Sequence, residues 1–207
     1  MTVPIDHLIV FAPDLERGCD VVEQHLGARP VTGGRHPNLG THNALLGLGP
    51  DCYLEVMAPD PRSERPLDLG RLGMTGLESP RLGTWVLRAE PIDALAARAR
   101  EAGVGLGPVS AGHRDNPDGT RVTWRVTQPF VFPFGGVVPF LIAWGDTPHP
   151  GSRLPAVGEL QGLAVEHPDA EGVRRAFEAL EVSLPVSHGP APRLSATIET
   201  ARGAVHL

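Results

Sequence analysis

The chain has 207 residues, 41% of them apolar and 20% charged, with a formal net charge of −6. That is enough apolar material for one large packed unit or two small ones, and too much for intrinsic disorder. The acidic balance argues against a broad phosphate-backbone footprint and so against nucleic-acid binding, and no apolar run approaches the roughly 20 residues of a membrane-spanning helix.

The first ten residues, MTVPIDHLIV, lack the basic start and small-residue cleavage site of a secretory signal, so a cytoplasmic location is expected. Residues 5–11 alternate as a strand. Asp14 then caps a helix whose stripe is Leu15, Cys19, Val22 and Leu26, ending at Gly27. Cys19 and Cys52 are isolated, which excludes a CxxC zinc or redox site and predicts two buried thiols. Residues 33–40, GGRHPNLG, read as a Gly-rich turn. Strands follow at 42–49 and 52–59, joined by Pro50 and Asp51, and 59–80 is a Pro/Gly-rich link.

A second strand and helix start at 83–95, with Ile92, Leu95, Ala96 and Ala99 as the stripe and Gly103 as the stop. Strands are expected at 120–127 and 137–144, after a turn over 116–119. Residues 147–158 form the next link. A third strand and helix follow, with Asp169 as cap and Val173, Phe177 and Leu180 as stripe, then strands at 193–200 and 204–207. All 18 basic residues are arginine, which excludes lysine Schiff-base chemistry and a P-loop, and no Ser or Cys sits in a nucleophile elbow.

The chain repeats itself. A shift of 155 residues aligns Leu8, Val10, Pro13, Asp14 and Glu16 with Leu163, Val165, Pro168, Asp169 and Glu171; a shift of 77 aligns Leu8, Val10 and Leu15 with Trp85, Leu87 and Ile92. Each unit is β-α-β-β-β or a trimmed version. The expected fold is therefore α+β, with two modules at about 1–62 and 80–147 inside a unit 1–150, and a third, truncated module over 151–207.

This layout, with GGRHPNLGTHNALLGLG followed by YLEVMAPDP, resembles the vicinal oxygen chelate superfamily of glyoxalases, extradiol dioxygenases and bleomycin-resistance proteins, in its glyoxalase-like domain branch. The resemblance implies that two modules pair their sheets into a cup. It also implies that metal-dependent members carry a ligand on the first and last strand of each module. Alternation puts Ile5, His7, Ile9 and Phe11 on the cup face and Leu8 and Val10 on the helix; likewise Tyr53, Glu55 and Met57 face the cup. His7 and Glu55 match the ligand pair of the first module. His plus carboxylate suits Zn, Mn, Fe or Ni. The second module offers Thr84 and either Ala143 or Ile142, so any divalent metal is expected to be weakly held, with His36, His42 or His113 as the candidate third donor. The alternative expectation is a hydrogen-bonded core histidine at His7, with Glu55 as its partner or an arginine's.

The expected catalytic residues are His7 and Glu55. The expected contacts to a small polar or anionic molecule are Arg35, His36, Asn43, Trp124 and Arg125, with Arg35 as a grip on carboxylate. The readings that follow are metal-assisted lyase, isomerase or dioxygenase-like chemistry, or metal-free sequestration of a small molecule, or assembly without ligand. The partner expectations are a small molecule and a homodimer, with neither nucleic acid nor membrane.

Overall fold

The computed structural model describes residues 3–64, 69–70, 73–127 and 132–207. Parts of the N-terminal segment and of the 59–80 link therefore lie outside the described residues. Two βαβββ modules follow in chain order. The first is β1 (Ile5–Phe11), α1 (Leu15–Leu26), β2 (Val31–His36), β3 (Thr41–Gly47) and β4 (Tyr53–Pro59). The second is β5 (Arg81–Arg88), α2 (Ile92–Glu101), β6 (Val109–Asp115), β7 (Arg121–Thr127) and β8 (Phe140–Ala143). The eight strands close into a barrel ordered β1-β4-β3-β2-β6-β7-β8-β5. The expected cup is thus a full ring.

The helices form for local reasons. The Asp14 side chain accepts from the Arg17 backbone N–H at the start of α1, and Gly27 ends it in the left-handed conformation at φ 79°. Buried Cys19, Val22 and Leu26 turn α1 onto the barrel. The buried stripe of α2 is Ile92, Leu95, Ala96 and Ala99.

Strand alternation divides the apolar residues into two sets. Leu8, Val10, Leu54, Val56, Trp85, Leu87 and Leu141 point outward beneath the helices. Ile9, Phe11, Leu45, Tyr53, Met57, Val86, Phe140, Ile142 and Trp144 fill the interior. Ile5 departs from the expected pattern. A register shift between Ile5 and His7 breaks the alternation, and Ile5 packs with the outer set.

Of the stretch 33–40 read as a turn, residues 33–36 belong to strand β2 and 37–40 are the turn. The glycines of β2 supply space: a Cβ on Gly33 would stand 2.1 Å from Asn43 Oδ1, and one on Gly34 would stand 2.6 Å from the Asp115 carbonyl oxygen and 3.3 Å from Arg114 Cδ.

The two modules meet along unequal seams. β1 pairs antiparallel with β5 from Ile5 to Phe11, whereas β2 meets β6 only at Arg35 and Asp115.

The third unit comprises β9 (Gly158–His167), α3 (Ala170–Ala179), β10 (Val186–His188), β11 (Arg193–Thr200) and β12 (Gly203–His206). It keeps the βαβββ element order. Its sheet runs β10-β9-β11-β12, so its first strand is internal, while β1 and β5 are the end strands of their modules. It packs on the outside of β5, where Phe177 meets Trp85 edge-on at 5.9 Å, both buried. No helix among the described residues is long and apolar enough to cross a membrane.

Candidate functional site

The interior of the first module carries the polar cluster. β1 and β4 lie parallel with His7 opposite Tyr53 and Ile9 opposite Glu55, and β3 sets Leu45 opposite Glu55. His7 and Glu55 are buried to 3% and 6% exposure. His7 Nε2 faces Glu55 Oε2 at 3.5 Å, an electrostatic contact somewhat longer than a hydrogen bond.

Each member is held from behind. Asp6 Oδ1 lies 2.6 Å from His7 Nδ1 and accepts its proton in the tautomer that leaves Nε2 free. Tyr53 stacks on the imidazole, with centroids 4.4 Å apart. Asn43 Nδ2 donates to Glu55 Oε1 at 2.7 Å, and Asn43 Oδ1 accepts from the Gly34 N–H at 2.8 Å, which fixes the amide. His36 brings Nε2 to 4.0 Å from Glu55 Oε1, and its Nδ1 pairs with Thr41 Oγ1 at 3.0 Å. Burial holds the His36 imidazole down to about 4, partly offset by Glu55, with the Arg114 charge acting in the same direction as burial.

Asp6 is fully buried and serves several partners. Trp144 Nε1 donates to Oδ2 at 2.9 Å, Arg88 Nε lies at 3.4 Å, and His149 Nε2 lies at 3.2 Å but is poorly aligned for a hydrogen bond. Although burial opposes ionisation, the close approach and charges of His149 and His7 prevail and hold the carboxyl well below its ordinary range. Asp6, Trp144 and His149 were not among the sequence candidates. Strict alternation assigns Asp6 to the helix side, and the shift in β1 that turns it inward has no sequence signature.

The arginine candidates divide by the same alternation. His36 and Trp124 point inward, so their neighbours Arg35 and Arg125 point outward, and neither reaches the interior. Arg35 is bound by the buried Asp60 carboxylate, and Arg125 makes a bidentate pair with Asp93 on α2 at 2.7 and 2.9 Å. Trp124 packs inside beside His36 and Trp144, at 6.1 and 5.7 Å. Arg114 was also missed. The turn at 116–119 pairs Arg114 with Val122 on the inner face, two residues from Trp124. That hairpin register was the available signal.

Among the described residues, the second module adds no donor that faces His7 and Glu55. In the second module Thr84 Oγ1 is spent on the Gly136 carbonyl at 3.0 Å, Ile142 occupies the inward position on β8, and Ala143 faces outward. Among the described residues no group of three or more His, Cys, Asp or Glu side chains converges as a metal cluster. Burial pushes the Cys19 thiol up to about 11 and the half-buried Cys52 thiol up to about 12.

Comparison with known proteins adds the family. A family model described as "Glyoxalase-like domain" matches residues 5–181. Comparison with curated proteins finds no match. Among solved structures, a hypothetical protein from Staphylococcus aureus is similar over 98% of this chain and 97% of its own, at 13% identity and TM-score 0.71. A triple variant of 4-hydroxymandelate synthase from Streptomyces coelicolor covers 100% of this chain with 62% of its own, at 15% identity and TM-score 0.55. Methylmalonyl-CoA epimerase from Mycobacterium tuberculosis aligns over 67% of this chain and 86% of its own, at 22% identity and TM-score 0.44.

Proposed function

Because the chain belongs to the glyoxalase-like domain family, within the vicinal oxygen chelate superfamily, we propose that its barrel binds a small polar organic molecule and that His7 and Glu55 exchange a proton with it. The observation that carries this reading is the facing of His7 Nε2 and Glu55 Oε2 inside a closed barrel, with each residue anchored on its far side by Asp6 or Asn43. Anchoring from behind is what acid–base catalysis needs, because the free atoms then need no reorganisation.

The chemistry is proton transfer next to a carbonyl. With one proton held between the facing atoms, the bare atom takes a proton from the carbon beside the carbonyl. The electron pair of that C–H bond moves into the enolate. The protonated partner then gives its proton to the enolate oxygen, and reversal on either carbon completes an isomerisation. Asp6 keeps the imidazole oriented and Asn43 leaves one Glu55 oxygen free. These steps need no metal.

The test is solvent exchange. Small α-carbonyl compounds, from hydroxyacetone to 2-oxobutyrate, are incubated with the protein in D2O and followed by proton NMR. We expect deuterium to enter beside the carbonyl of at least one of them, and Glu55→Gln to slow this at least about 100-fold. Exchange equally fast in both proteins would refute the assignment. Binding without exchange would assign the barrel to sequestration, the reading favoured by the hydrocarbon of Ile142 where a second-module ligand would stand.

A further inference from the structure

Arg114 is the interior cation whose role remains open. It lies on the inner face of β6 and is only 8% exposed. No carboxylate of the described residues comes within 4.0 Å of its guanidinium, whereas Arg35, Arg121 and Arg125 are each paired, with Asp60, Asp115 and Asp93. Its Nε is fully shielded from solvent and has no hydrogen-bond partner among the described residues. A buried guanidinium without a counter-charge is costly, and arginine cannot shed its proton to relieve the cost.

The surrounding chain makes room for this side chain. Gly34 faces the Arg114 stem, where a Cβ would stand 3.3 Å from Cδ. Gly112, two residues earlier on the same face, lets the Trp124 indole lie across the strand, where a Cβ would stand 2.3 Å from Nε1. Trp124 and Val122 are half-buried, so this end of the interior meets solvent. Glu55 is already engaged by Asn43 and faced by His7 and His36, and so does not serve as the counter-ion.

We propose that Arg114 is the anion-recognition residue of the barrel, and that the ligand is a small organic carboxylate whose charged end docks on the guanidinium while its body lies against Trp124 and the apolar interior. This rests on the reading of the barrel interior as the ligand site. It specifies the substrate as a carboxylate in which the carbonyl presented to His7 and Glu55 is a separate group.

The test uses two isosteric probes, benzoate and the neutral benzamide, titrated against the full chain by saturation-transfer NMR and tryptophan fluorescence. The parent protein is expected to prefer benzoate by about 10-fold or more, the size of a charge-assisted contact. Arg114→Met should erase the preference, Arg114→Lys should retain part of it, and Arg125→Gln should leave it unchanged. Circular dichroism melts check that each variant folds; if Arg114→Met does not, Arg114→Lys decides, because a weaker preference there supports the assignment and an unaltered one opposes it. Equal affinity of the parent for both probes, including none for either, overturns the proposal, as does a preference that survives in folded Arg114→Met. Deuterium exchange reads Glu55 and benzoate preference reads Arg114, so each assignment fails separately.

Discussion

His36 is a buried imidazole whose neutral form the fold favours, and that preference has a pH signature. Its folded value, about 4, lies below the roughly 6.5 of an unfolded histidine. The unfolded chain therefore takes up the proton first as pH falls. The stability contribution is complete above about 6.5 and is lost as pH drops toward 4, amounting to about 3 kcal/mol in total. Urea unfolding of the parent and of His36→Gln, measured from pH 7.5 to 4, should show a steep loss in the parent and a shallower one in the variant. Parallel curves would mean that other groups cause the acid sensitivity. At this scale the sequence was legible where alternation was regular: His7 and Glu55 point inward and face each other, as expected. It misled at Arg35 and Arg125, which adjoin inward residues and so must face outward, and it gave no sign of Asp6.

At the scale of elements, β2 shows how a glycine pair serves a neighbouring strand. Gly33 has no Cβ, and Asn43 Oδ1 occupies that space while the amide holds Glu55. Gly33→Ala should therefore displace the Asn43 side chain and cost about 1–3 kcal/mol, the usual range for overpacking. It should also slow the deuterium exchange assigned to Glu55. Chemical denaturation together with the exchange assay checks this, and an alanine variant as stable and as active as the parent would show that Asn43 is not held by that gap. Helices were readable here because caps and stripes are local: Asp14, Gly27 and Asp169 mark ends that the structure keeps. The run GGRH was not readable as a strand, because in one dimension glycine signals a turn whether it supplies a conformation or a space.

For the whole molecule, the repeat foretold the modules but not how they join. Corresponding residues such as Leu8 and Leu163 are buried beneath their own helices, yet β9 is internal to its sheet and β1 is not, since strand order depends on pairings far apart in sequence. A metal-ligand set of the kind the resemblance implies would need donors from both modules, and the second supplies none among the described residues. After dialysis against chelator, the parent and His7→Ala should both carry far less than one metal ion per chain by mass spectrometry of the elements. Stoichiometric metal surviving in both would reveal ligands beyond the polar cluster of the first module.

The unequal seams give the ring a direction of give. Separating β1 from β5 would break a ladder running the length of both strands, whereas separating β2 from β6 would break the pairing at Arg35 and Asp115 alone. The strong seam therefore lies on the side of His7 and the weak one on the side of Arg114 and His36. The contacts proposed for a guest divide accordingly, with Arg114 on β6 beside the weak seam and His7 on β1 beside the strong one.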